Sequence, residues 1–142
     1  MKVINILQSK GVDVFAVSPG MTLKEAVDVL GEKNIGAVIV KDGGGKVTGI
    51  LSERDVVRRI RTDGPAVLTK TVAECMTPAP ITCGPDALLD EILEKMTNRR
   101  IRHLPVVDSG RLIGVISIGD VVKRKIDNAE REAAALREYI AS

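Results

Sequence analysis

Aromatic residues are almost absent from this chain: Phe15 and Tyr139 are the only two, and there is no tryptophan. A core must therefore be assembled from Val, Ile, Leu, Ala and Met, and the rings on which a nucleic-acid-binding surface stacks its bases are missing. An excess of one charge is missing too, because 21 basic and 19 acidic side chains leave a net +2, too little for a nucleic-acid footprint. No apolar run approaches the roughly 20 residues that cross a bilayer. Residues 1 to 20 contain no signal-peptide core, so the expected location is cytoplasmic, with no membrane partner. The two cysteines, Cys75 and Cys83, lie outside any CxxC pattern, and His103 is the only histidine. A disulfide framework and a zinc cluster are therefore not expected, and both cysteines read as buried thiols.

What is present is a globular composition, 44% hydrophobic and 28% charged over 142 residues. That length suits one cooperative unit, or two small halves that share a core because neither buries enough surface alone. One cooperative unit is the expectation, and an internal repeat organises it. Gly49-Ile50-Leu51-Ser52-Glu53-Arg54-Asp55-Val56-Val57 returns 65 residues later as Gly114-Val115-Ile116-Ser117-Ile118-Gly119-Asp120-Val121-Val122, with five of nine positions identical. Upstream, Pro19 matches Pro85 and Ile35 matches Ile101 at an offset of 66, so the first repeat has one extra residue in its loop Lys41 to Lys46. Val3, Ile6 and Leu7 have the spacing of Val72, Cys75 and Met76, which assigns the N-terminal lead-in to repeat one. The expected divisions are residues 1–66 for the first repeat, 67–126 for the second, and 127–142 for a C-terminal helix.

Each repeat reads as helix, strand, strand, helix after its lead-in. Thr22 and Glu25 have capping-box spacing, and Leu23, Ala26, Val27 and Leu30 form one helical face. Pro85 suits a first helical turn, and Leu89, Ile92, Leu93 and Met96 repeat the face. Strands are predicted over 37–40 and 47–51, joined by a glycine-rich turn, with counterparts at 104–107 and 112–116. Pro105 predicts an edge or an irregularity in its strand. Ser52 and Ser117 then open second helices, each with an acid three residues on. Residues 62–66 read as a linker. After Ile126 the chain is rich in helix formers, with Ala129, Ala133, Leu136 and Ile140 in a thin stripe suited to packing on the body or on a second subunit.

The doubled SxxD helix start after a glycine-containing strand, with Arg102-His103-Leu104-Pro105-Val106-Val107-Asp108 before the second copy and Met76-Thr77-Pro78 at its head, resembles the CBS domain family. The resemblance covers all but about the last 16 residues. It implies an α+β fold, an α/β sandwich of two pseudo-symmetric βαββα repeats plus a C-terminal helix. It also implies clefts that bind AMP, ATP, NAD-type dinucleotides or S-adenosylmethionine, regulation of an unidentified partner protein, and pairing into a homodimer. No catalytic cofactor and no metal are expected.

A nucleotide cleft needs a carboxylate for the ribose hydroxyls, apolar walls for the base, and cations or helix N-termini for phosphate. By the resemblance, Asp55 and Asp120 are the ribose ligands, with Ser52 and Ser117 touching sugar or phosphate. The same four residues also read simply as helix caps, contributing about 1 kcal/mol each. Arg54, Arg102 and His103 are the candidate phosphate ligands. If each cleft takes its base-contacting wall from the opposite repeat, Thr71, Met76, Ile101 and Arg102 go with Asp55, while Leu7, Ile35 and Gly36 go with Asp120. The apolar residues among these also read as ordinary core. Gly36-Ala37 stands where the second repeat has Arg102-His103, so the two clefts are not equivalent.

The expected function is a regulatory sensor of adenine nucleotides. The alternatives are a structural dimerisation module that leaves both aspartates as caps, or a small enzyme. The enzyme reading is weakened by the lack of a Walker-type loop or a Ser/His/Asp order.

Overall fold

The computed structural model describes residues 1–11 and 14–142. It divides into two compact units, Asp13–Thr82 on the one hand and Met1–Val12 with Cys83–Ser142 on the other. The first unit holds β1 (Ala16–Val17), α2 (Leu23–Lys33), β2 (Ala37–Lys41), β3 (Val47–Ser52), α3 (Glu53–Asp63), a 3-10 turn (Pro65–Thr69), α4 (Val72–Cys75) and β4 (Thr77–Pro78). The second holds α1 (Val3–Lys10), α5 (Leu89–Arg99), β5 (His103–Asp108), β6 (Arg111–Ser117) and α6 (Ile118–Ala141).

In the first unit the strands run in the order β1-β2-β3-β4. β1 is parallel to β2, and the other neighbours are antiparallel. The amphipathic face of α2 buries Leu23, Ala26 and Leu30 against Val38, Val40 and Leu51 of the sheet. The expected linker is largely ordered structure: α3 extends through Asp63, and the 3-10 turn that follows buries Val67 completely.

The second unit repeats this plan with β5 and β6 as its hairpin, and its first strand is reduced to one parallel bridge, Cys83 to Val106. Pro105 supplies the reason. Its counterpart Ile39 donates its N–H to the Phe15 carbonyl at 3.2 Å, a bond that proline, having no N–H, cannot make. The bulge expected from Pro105 has another origin, because register shifts fall between Val106 and Val107 and equally between Val40 and Lys41, where no proline lies. Pro85 also differs from expectation: it precedes α5, and its carbonyl accepts the N–H of Ile4 at 2.9 Å.

The lead-in of each repeat is held by the other repeat. Val3 N–H bonds the Ala87 carbonyl at 2.9 Å, and in the matching place Val72 N–H bonds the Met21 carbonyl at 2.7 Å. Two arginines complete the exchange, Arg124 donating to the Asn5 carbonyl at 2.5 Å and Arg59 to the Glu74 carbonyl at 2.9 Å. The N-terminal lead-in, assigned from its spacing to repeat one, is thus packed with repeat two. At the C-terminal end α6 runs unbroken for 24 residues, so the second helix of repeat two and the expected C-terminal helix are one element. Among the described residues no helix is long and apolar enough to cross a membrane.

Close approach of the lead-ins requires glycine on β3 and β6. A Cβ on Gly49 would meet Met76 Sδ and lie 2.8 Å from the Thr77 carbonyl oxygen, whereas one on Gly114 would lie 2.7 Å from Leu7 Cδ2, the mobile end of a side chain. Gly49→Ala is therefore expected to destabilise by about 1–3 kcal/mol, and more than Gly114→Ala, because backbone yields less than a leucine methyl. Urea denaturation of the two variants checks this. Equal, negligible losses would contradict it.

Candidate functional site

The serines and aspartates singled out from the sequence form full reciprocal caps in both repeats. Ser52 closes β3 in an extended conformation, with φ −107° and ψ 161°. Its Oγ accepts the Asp55 N–H at 3.2 Å, while Asp55 Oδ2 accepts the Ser52 N–H at 3.0 Å and the Ser52 hydroxyl at 3.1 Å. One carboxylate oxygen is thus committed to the cap. The other, Oδ1, accepts the Thr77 hydroxyl at a long 3.5 Å and has Arg58 Nη1 4.0 Å away. The Asp55 side chain is only 12% exposed. With Arg58, Arg59, Thr62, Cys75, Met76 and Thr77 it lines a cavity of about 200 Å³.

In the second unit, Ser117 Oγ accepts the Asp120 N–H at 3.1 Å, and Asp120 Oδ2 accepts the Ser117 N–H at 2.9 Å. The surroundings then differ. Lys10 Nζ lies 2.6 Å from Asp120 Oδ2 and also donates to the Val115 carbonyl at 2.9 Å. Burial pushes the Asp120 carboxyl up, but the hydrogen bond and charge of Lys10 and the Ser117 amide outweigh it and hold the group below its ordinary value. At the place of Lys10 in the second lead-in stands Ala79. The two carboxylates are therefore in unlike states, one paired with an ammonium and one facing a cavity.

The remaining candidates sort by hairpin register. Because Ala37 pairs with Ser52 and His103 with Ser117, the residues just before each first strand lie beside the start of the following helix. The Gly36 carbonyl accepts Glu53 N–H at 3.0 Å, and the Arg102 carbonyl accepts Ile118 N–H at 2.8 Å. Gly36 and Ile35 thus share a unit with Asp55, while Arg102, Ile101 and His103 share one with Asp120. The lead-in residues follow the expected grouping for Met76, which meets Asp55 in the cavity, and place Leu7 in the unit of Asp120, packed on Gly114. Thr71 caps α4, its N–H bonded to Glu74 at 3.0 Å. Arg54 and Arg102 are exposed. Both cysteines are buried and free, with burial pushing the Cys83 thiol up to about 11.

Sequence reasoning missed Lys10, Thr77, Arg58 and Arg59. Lys10 and Thr77 sit in lead-ins, where no local pattern names a partner about 110 or 22 residues away. A larger cavity of about 350 Å³, between the start of α5 and α6, contains none of the expected site residues.

With this geometry in hand, the comparisons are consistent. The CBS domain family matches residues 7–62 and again 72–127, and the chain belongs to that family. It is 34% identical over 123 residues to the mitochondrial CBS domain-containing protein CBSX3 of Arabidopsis thaliana, a match covering 84% of this chain and 60% of that protein's length. The crystal structure of a CBS-domain containing protein from Agrobacterium tumefaciens is similar at 43% identity and a TM-score of 0.85, covering 87% of this chain and 92% of that one. The CBS domain pair of protein MJ0100, solved with 5-methylthioadenosine and S-adenosyl-L-methionine, is similar at 26% identity and a TM-score of 0.79, covering 90% of this chain and 98% of that one.

The Lys10 pair has a pH signature. A carboxyl held low in the folded state contributes stability above its unfolded value of about 3.9 and loses it as pH falls through the folded value. Lys10→Met removes the two downward influences of the lysine and leaves the upward push of burial. The Asp120 carboxyl is expected to titrate higher in the variant by carbon-13 NMR. The accompanying stability loss at neutral pH should stay within about 1 kcal/mol, because both partners are partly exposed, and should shrink in acid. An unchanged titration would contradict the pairing.

Proposed function

We propose that this chain is a regulatory module that binds an adenosine-containing ligand, such as AMP, ATP, an NAD-type dinucleotide or an S-adenosyl compound, and reports its occupancy to a partner protein. The observation that carries the reading is Asp55. Its cap fixes one carboxylate oxygen and the whole side chain, leaving the second oxygen at a cavity where a ribose diol can donate hydrogen bonds to a group already ordered. Met76 offers that cavity a polarizable apolar wall for a base. Arg58 lines it as well, which supports a phosphate contact there, and Arg54 is exposed on the same helix. The complex of the similar MJ0100 pair lends support, since both of its ligands contain adenine and ribose.

The proposal is binding, not catalysis. A carboxyl held below its ordinary value, as Asp120 is, is a weak proton acceptor at neutral pH and serves better as a fixed acceptor or ion-pair partner. A scaffold reading has one observation in its favour: the capping box alone accounts for Ser52, Asp55, Ser117 and Asp120. In that case no nucleotide binds.

Calorimetric titration separates the two. Hydrogen bonds to a charged group contribute roughly 1.5–3 kcal/mol, so Asp55→Ala is expected to weaken the bound ligand roughly 10- to 150-fold. The variant should remain folded by circular dichroism, because a lost cap costs about 1 kcal/mol. Arg54→Ala and Arg102→Ala are expected to weaken ATP more than adenosine. Wild-type protein that binds none of these ligands, or a folded Asp55→Ala/Asp120→Ala variant that binds as wild type does, would leave the scaffold reading standing.

A further inference from the structure

The chain carries four methionines and two cysteines, and the structure sets one of these sulfurs apart. Cys75, Cys83 and Met96 are buried. Burial also pushes both thiols up, which leaves little of the thiolate through which a cysteine is oxidised. A thioether needs no deprotonation. Met1 is about half exposed, and Met21 and Met76 are partly exposed. Of the methionines, only Met76 lines the cavity that holds Asp55 and Arg58, whereas the Met21 sulfur accepts the Ser18 N–H at 3.5 Å.

The Met76 sulfur is pressed onto β3. A Cβ on Gly49 would run into Met76 Sδ and lie 2.8 Å from the Thr77 carbonyl oxygen, so an oxygen added to the sulfur has no room toward the strand. Its open side is the cavity. In the second unit the same contact is made by Leu7 on Gly114, and Leu7 is only 2% exposed. The repeats thus place an oxidisable atom at one of two matching contacts, the one beside Asp55.

We propose that Met76 is an oxidation site, and that its sulfoxide closes the cavity beside Asp55 to the ligand. The effect on binding rests on the function proposed above, whereas the modification itself does not. Hydrogen peroxide transfers one oxygen to the sulfur: the O–O bond breaks, the S–O bond forms, the thioether loses two electrons, and the peroxide leaves as water. A polar side chain then stands where the cavity had an apolar wall. Its oxygen accepts hydrogen bonds and donates none, so it opposes the second oxygen of Asp55 and turns to the Arg58 guanidinium, which lies 4.0 Å from that oxygen in the reduced chain. Wall and cation are both withdrawn from a ligand. Methionine sulfoxide reductase reverses the step, two thiols supplying the electrons and closing to a disulfide while the oxygen leaves as water.

The test is hydrogen peroxide treatment of the full chain. Peptide mass spectrometry reads the sulfoxide at each methionine, and calorimetry reads binding of AMP, ATP, NAD and S-adenosylmethionine. Met1 and Met76 are expected to oxidise and Met96 to resist. Chain oxidised at Met76 should bind its ligand roughly tenfold more weakly, and the reductase should restore it. Bound ligand should slow oxidation at Met76 and not at Met1. Met76→Leu, which copies Leu7 of the other repeat, is expected to have an affinity of its own that peroxide does not alter. Three results each overturn the proposal: Met76 still reduced once Met1 is fully oxidised, binding unchanged by oxidation at Met76, or Met76→Leu losing affinity in peroxide as the wild type does. If the untreated wild type binds none of the four compounds, the functional reading fails, and the oxidation site is judged on stability. Peroxide should then lower the urea midpoint of the wild type more than that of Met76→Leu, and equal shifts overturn it.

Discussion

Gly49 and Gly114 give up their side chains at the points where a lead-in from the other repeat presses onto the strand, and the rest of the molecule is arranged around those two contacts. Met76 and the Thr77 carbonyl occupy the space at Gly49, and Leu7 occupies it at Gly114. Arg59 and Arg124 then anchor the same lead-ins through their carbonyls. This exchange is what delivers Thr77 and Met76 to Asp55, and Lys10 to Asp120. The repeats are alike in their hairpins and caps, so the chemical difference between the two carboxylates is carried to a large extent by their lead-ins.

The capping box joins stability to the site. Its bonds satisfy the first amides of α3 and α6, which a helix leaves without partners. They also lock the aspartate rotamer, so the carboxylate is an acceptor already ordered in the folded chain. At Asp120 the same lock presents the carboxylate to Lys10. A cation in that place offsets the negative charge, whereas the free oxygen of Asp55, Oδ1, has only a long contact to a hydroxyl and an arginine at 4.0 Å. On the reading proposed above, the two carboxylates need not serve the same ligand.

Much of this architecture was legible in the sequence because it is periodic or local. The faces of α2 and α5, the paired hairpins and the two SxxD caps are set by residues three or four apart, or by alternation along a strand. The family resemblance rested on the same features, and it anticipated the α+β architecture of two repeats with a C-terminal helix. The neighbourhood of Arg102 within its own repeat was not legible because it depends on hairpin register, which sets His103 opposite Ser117. The packing of the N-terminal lead-in on the other repeat was not legible because Val3 and Ile4 bond Ala87 and Pro85, more than 80 residues away, with no local mark in either segment. The continuity of α6 was missed because Asp127 and Asn128 resemble a boundary, yet without glycine or proline the helical bonds continue across them.

On the function proposed above, Asp55 holds the ribose of an adenosine-containing ligand. Native mass spectrometry of the purified protein, alone and with AMP, ATP, NAD and S-adenosylmethionine in turn, tests it most directly. A bound mass corresponding to at least one of these compounds is expected in the wild type, and its disappearance in a folded Asp55→Ala variant. A bound mass that persists unchanged in that variant, or a wild type that retains none of the four, would contradict it.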